Sequence, residues 1–167
     1  MKLVGMYHRF SHLVNRLGEI MCVVFLSAMV LLTGAQIFCR VFLKALTWSE
    51  ELTRYLLIWS TFIGSSVVYK QSGHISVTLL AEHLPEKLQK LLMLFVHLVC
   101  GTVCVLSVYY GFRYMRLQGN QLSAALRLPM RLMYMSIPVG FLFTLVHIVD
   151  ALLQLLPVNH RKEVQTL

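Results

Sequence analysis

The fold class that this sequence predicts is an all-α integral membrane protein, with four transmembrane helices and short amphipathic interfacial helices. Three observations predict it. The 167 residues are 57% hydrophobic with a mean hydropathy of +0.70, above the roughly 45–50% apolar share of soluble domains. The apolar residues gather in four long runs, at about 20–38, 52–69, 91–112 and 132–156, each close to the ~20 residues that cross a bilayer. Inside those runs only Arg54 and Asp150 are charged. Residues 1–167 are therefore expected to form a single membrane domain.

The balance of 15 Lys and Arg against 7 Asp and Glu leaves a formal charge of +8. The basic residues sit at the ends of the apolar runs, where they reach phospholipid headgroups. No basic stripe is interleaved with exposed aromatics, which excludes nucleic acid as a partner. Cys22, Cys39, Cys100 and Cys104 lie in or beside apolar runs and read as small hydrophobes.

In residues 3–17, Met6, Phe10, Leu13 and Leu17 recur at helical spacing beside His8, Arg9, His12 and Arg16. That pattern predicts a short helix in the membrane interface. A signal peptide is disfavoured, because the following apolar run exceeds a 7–15-residue core. The short link between the first two spans predicts an antiparallel hairpin. The second span opens on charge: Thr47 and Glu50 fit a capping box, and Glu50 and Glu51 precede Arg54 at i,i+4 and i,i+3. Either these residues satisfy one another or another polypeptide covers them.

Residues 75–90 are too few to cross and predict a second interfacial segment, with Pro85 suited to the first turn of the third helix. Tyr109, Tyr110 and Tyr114 near the far end of the third span suit an aromatic belt. Arg113, Arg116, Arg127 and Arg131 fall between the third and fourth spans without an acid among them. The fourth span is expected to start at Pro129, kink at Pro138 and stop before Pro157. Basic residues divide almost evenly between the two sides, so charge alone does not orient the chain.

Candidate chemistry is sparse. His97 and His147 lie inside spans at depths of about 9 and ~14 Å from a common end, so a bis-histidine haem site is geometrically allowed. Interhelical hydrogen bonding explains the same residues with less. Asp150 reads as an interfacial anchor, with a proton relay as the other use of an intramembrane acid. No nucleophile elbow, HExxH or phosphate-cradling loop occurs, so neither an enzyme nor a bound cofactor is expected. No internal repeat with broken helices marks a self-sufficient transporter. The chain reads as a partner in a larger assembly.

The stretch Trp48-Ser-Glu-Glu-Leu-Thr-Arg-Tyr-Leu-Leu-Ile-Trp59, with Gly64, Gly73-His-Ile-Ser-Val-Thr78, Leu84-Pro85 and Leu128-Pro-Met-Arg-Leu-Met-Tyr134, resembles the small membrane (DctQ-like) subunit of tripartite ATP-independent periplasmic (TRAP) transporters. Thr78 stands where that family commonly carries an aspartate. The resemblance implies a bacterial inner-membrane complex importing organic acids. In it, a periplasmic binding protein captures substrate and a large DctM-like subunit carries it by a sodium-driven elevator motion. The small subunit would brace the static scaffold, with both termini cytoplasmic. On this reading Glu50, Glu51, Arg54, Trp59, Phe62 and Gly64 meet the large subunit or fix its register. The four arginines would help dock the binding protein. A haem-bearing electron-transfer subunit and an autonomous exporter are the alternatives.

Overall fold

A computed structural model of the chain describes residues 2–44, 46–72 and 85–155. Among them are five helices and no strand: α1 (Lys2–Phe42), α2 (Thr47–Ser72), α3 (Glu86–Leu117), the single turn α4 (Arg131–Tyr134) and α5 (Ser136–Leu155). Three stretches are long and apolar enough to cross a membrane, namely Val4–Phe42, Leu88–Leu117 and Arg131–Gln154.

The predicted second span lies in α2. Its 26 residues reach about 39 Å, but its hydroxyl groups make it less apolar than the other three. Those hydroxyls bond back to their own helix. Ser60 and Thr61 each donate to the Leu57 carbonyl at 2.8 Å, Ser65 to Phe62 at 2.8 Å, and Ser66 to Ile63 at 2.7 Å. Each polar group is thereby satisfied without water, the condition a helix must meet to sit among apolar neighbours.

The predicted interfacial helix at 3–17 is not a separate element. It is the first third of α1, which runs unbroken for 41 residues, about 61 Å at 1.5 Å each. Two local features carry the helix through the expected break. Asn15 donates to Glu19 one turn on, at 2.7 Å. Gly18 lets α1 close on α2, where a Cβ would lie 3.0 Å from Val67 Cγ2. The apolar stripe Met6, Phe10, Leu13 and Leu17 is present and faces outward.

Of the second predicted interfacial segment, 75–84 lies outside the described residues, as do Gly73–Thr78 and Pro157. Residues 86–90 open α3, and the Pro85 carbonyl accepts from the Leu88 and Gln89 amides at 2.8 and 3.1 Å. The fourth span is broken at Met135, one turn before Pro138. Proline has no amide to offer the Tyr134 carbonyl, so the ladder is cut there rather than at the ring itself.

The helices pack in the order α1, α2, α5, α3. α1 lies along α2, α2 against α5, and α5 against α3, while the first turns of α1 also reach α5. The close approaches explain the order. Gly140 of α5 meets the backbone of Phe62, and Gly111 of α3 takes the ring of Pro138, with a would-be Cβ at 3.0 Å from its Cδ. Such a row leaves broad apolar faces of α1 and α3 uncovered, including Val23, Val30 and Leu31 on α1 and Phe95, Val103 and Leu106 on α3.

Candidate functional site

Polar side chains concentrate at the two ends of this apolar row. At one end the start of α1, the end of α2, the start of α3 and the end of α5 converge. Asp150 is only 4% exposed, and a buried carboxylate needs partners. His8 Nδ1 lies 3.1 and 3.2 Å from its two oxygens, and Lys70 Nζ 3.9 Å from one of them. Lys70 also donates to Ser11 Oγ at 2.7 Å, which in turn is 3.0 Å from His147 Nδ1. Tyr7 adds a hydrogen bond to the Val146 carbonyl at 3.2 Å. This chain of contacts ties α1 to α2 and α5. In the structure Asp150 is held by side chains of α1 and α2, which ties it to neighbouring helices.

Local sequence patterns do not mark His8, Ser11 or Lys70 as partners of Asp150. A signal for two of them lies in the helix faces: His8, Ser11 and His12 share one face of α1, and His147, Asp150 and Gln154 recur on one face of α5. Two polar stripes on otherwise apolar helices must find each other. His97 and His147 do line one cavity at this end, of about 190 Å³. That volume is below the ~300–1,000 Å³ typical of small-molecule pockets, and the haem alternative gains no support.

The opposite end holds the charged opening of α2. Among the described residues, Arg54 forms no ion pair with Glu50 or Glu51, and the predicted pairing is replaced by other contacts. Glu50 accepts from Gln36 of α1 at 3.0 Å. Glu51 accepts from the Tyr55 hydroxyl and, at 2.8 and 2.9 Å, from the amides of Ala125 and Leu126. Fixed backbone amides compete well for a carboxylate, because no long side chain need be immobilised to present them. The expected capping box is likewise not seen, since Thr47 already belongs to the helix.

The loop that Glu51 holds is a small hairpin. The Met130 amide donates to the Gln121 carbonyl at 2.8 Å and the Ser123 amide to the Leu128 carbonyl at 2.9 Å, while Arg127 sits at a φ of 51°. Arg113 and Arg116 stand on α3 itself and Arg131 opens α4, so only Arg127 belongs to the loop. All four are exposed.

Hydrogen bonds from Tyr55 first, then from the Ser123 hydroxyl and the two loop amides, hold the Glu51 carboxyl well below its ordinary value, to about 2. The lowered value means that the tether is complete above the ordinary carboxylate range and lost only as pH falls through about 2. Hydrogen exchange should therefore find the Ala125 and Leu126 amides protected at pH 3.5. Protection should vanish at every pH in Glu51→Ala. Equal exchange in the two proteins at pH 3.5 would rule out the tether.

The remaining predicted site residues pack within the chain. Trp59 meets Phe25 of α1 with ring centroids 6.5 Å apart, and Phe62 meets Phe141 of α5 at 5.9 Å. Gly64 faces Cys22, whose Sγ would lie 3.6 Å from an added Cβ. Among the described residues no group of three His, Cys, Asp or Glu could hold a metal ion.

These features define a multi-pass α-helical membrane protein whose polar groups serve to hold its own helices together. Comparison with known proteins narrows the class. The family described as the DctQ component of tripartite ATP-independent periplasmic transporters matches residues 29–158, and the chain belongs to that family. It is 29% identical over 138 residues to the sialic acid TRAP transporter small permease protein SiaQ of Vibrio cholerae, covering 78% of this chain and 76% of that protein. It is 26% identical over 145 residues to the ectoine TRAP transporter small permease protein TeaB of Halomonas elongata, covering 85% and 75%. It is also 35% identical over 80 residues to the sialic acid TRAP transporter permease protein SiaT of Haemophilus influenzae. That match covers 47% of this chain and 13% of a much longer protein.

Proposed function

We propose that this small permease subunit acts as a fixed brace for a large DctM-like membrane subunit, in a complex that imports organic acids with a periplasmic binding protein. The carrying observation is the division of the molecule into a sealed interior and an open exterior. Contacts at both ends bind the helices to one another, whereas the apolar outer faces of α1 and α3 remain uncovered. The match inside the long SiaT chain supports the large partner, since there a similar sequence is joined covalently to a bigger permease. On this reading α2 is a fourth span, both termini are cytoplasmic, and the complex sits in the bacterial inner membrane. Sodium drive belongs to the large subunit. The names of relatives carry substrates as different as sialic acid and ectoine, which supports substrate choice by the other subunits.

Trp59, Phe62 and Gly64 shape the surface offered to the large subunit by fixing how α2 sits between α1 and α5. Arg54 is exposed and free to pair across the interface, with Glu50 and the anchored Glu51 setting its register. Arg113, Arg116, Arg127 and Arg131 lie at the same end and suit an acidic patch on the binding protein. Co-purification with a co-expressed large subunit tests both assignments. Arg54→Glu should lower recovery of the large subunit several-fold, and capture of binding protein by the intact complex should weaken as salt rises. Unchanged recovery and salt-independent capture would refute them.

A further inference from the structure

His8 and His12 lie one turn apart on the same face of α1, beside the cavity at the Asp150 end. Their rings stand edge to face with centroids 4.5 Å apart, and their Nε2 atoms approach to 3.0 Å. Both reach the surface: His12 is exposed, and the His8 side chain keeps 45% of its area open. Histidines at i,i+4 on a helix are a chelating pair, because the helix sets both imidazoles on one side at the spacing one ion needs. Two nitrogens bound to one ion at about 2.0–2.1 Å stand roughly 2.8–3.4 Å apart for angles of about 90–110°. The observed 3.0 Å falls within that span.

The opposite edge of His8 is prepared in the same sense. Its Nδ1 lies 3.1 and 3.2 Å from the two Asp150 oxygens. A carboxylate only accepts, so the neutral ring holds its proton on Nδ1 and presents a lone pair at Nε2. The Gln154 amide, 3.1 Å from the same Nδ1, suits that proton once its oxygen is turned inward. A ring nitrogen tied to a carboxylate, with the other nitrogen facing outward, is how metal-binding histidines are oriented and made more basic. Asp150 meets the Lys70 ammonium as well, at 3.9 Å, so the neighbouring positive charge is already balanced.

We infer that His8 and His12 form a chelating site for one divalent transition-metal ion, bound by the two Nε2 atoms and oriented by Asp150 behind His8. Imidazole pairs select zinc, copper or nickel, whereas magnesium and calcium require oxygen ligands. No third His, Cys, Asp or Glu among the described residues closes the shell. Water therefore takes the remaining positions, and binding is weaker than in a closed four-ligand site. Without the ion, one imidazole donates to the other. Binding requires only that the exposed His12 ring carry its proton on Nδ1 and that the rings turn slightly, so that both lone pairs meet at one point. A bound cation polarises the His8 ring and strengthens its Nδ1–H bond to Asp150, which tightens the tie between α1 and α5.

The test uses the full chain without a histidine tag, stripped of metal by a chelator and held in nanodiscs of zwitterionic lipid. Copper(II) at one equivalent should give an electron paramagnetic resonance spectrum with two nitrogen ligands, and zinc(II) should compete for the site while magnesium(II) does not. His12→Ala should abolish that spectrum. Among the described residues the His12 ring hydrogen-bonds only His8, so this variant should melt much as the unsubstituted chain does. Zinc(II) should raise the melting midpoint of the unsubstituted chain and leave that of His12→Ala unmoved. Asp150→Asn should keep both nitrogens and weaken binding about tenfold. The same spectrum and affinity in His12→Ala would overturn the site and leave a plain hydrogen bond between two exposed rings. Equal affinity in Asp150→Asn would overturn the part given to the acid. Should that variant fail to fold, ¹⁵N shifts of His8 in the zinc-loaded chain decide it: a protonated Nδ1 and a metal-bound Nε2 are expected, and the reverse arrangement would refute it.

Discussion

Replacing Asp150 by leucine should destabilise the folded chain by about 3–5 kcal/mol, the cost of leaving a buried charge without its partner. The Asp150 side chain is 6% exposed and that of Lys70 14%. Once the acid is gone, the ammonium retains Ser11 alone among the described residues, and His8 loses both carboxylate oxygens. Thermal melting in mild detergent checks the effect, and the pattern across variants carries more than any single value. Asp150→Leu combined with Lys70→Leu should recover much of the loss, because removing both charges leaves neither ion stranded. Asp150→Asn should fall between, retaining an acceptor for His8. A double variant as unstable as the single one would show that the pair is not what holds this end.

Gly140→Ala should pry α5 from α2 at a cost of about 1–3 kcal/mol, the usual range for overpacking. An added Cβ would stand 2.7 Å from Phe62 Cβ, 2.8 Å from its carbonyl oxygen and 2.9 Å from its carbonyl carbon. Two of these three atoms are backbone, so no rotamer change relieves the clash and Phe62→Ala should not rescue it. Gly34 provides the control, since nothing lies within 4 Å of its would-be Cβ. There alanine should be neutral or slightly stabilising, by up to ~1 kcal/mol of helix propensity. Equal melting midpoints for the two variants would refute the close approach.

The helical character of the chain was legible because apolar runs of span length admit little else. Several details followed different rules. Proline chemistry predicts a kink at Pro138, whereas the helix is interrupted at Met135, because the missing amide acts one turn earlier. The charged opening of α2 stands out in the sequence, and local spacing points to Arg54 as the partner of Glu51. The amides that prevail belong to residues 74 and 75 positions away, and no helical periodicity reaches that far. Asp150 stood out as an acid in an apolar run, while its ties to His8 and Lys70 depend on which faces meet. Those faces are set by small residues such as Gly18, Gly111 and Gly140, whose role appears only once a neighbour is in place.

The tie between His8 and Asp150 joins residues 142 positions apart, which has a bearing on how the protein is made. During synthesis His8, Ser11 and Lys70 enter the membrane long before the helix that carries His147 and Asp150 leaves the ribosome. Until then Lys70 and His8 wait at the lipid boundary without their acid. The final helix thus acts as a fastening put in last, and a nascent chain stalled before it still lacks the carboxylate that Lys70 and His8 meet in the finished fold.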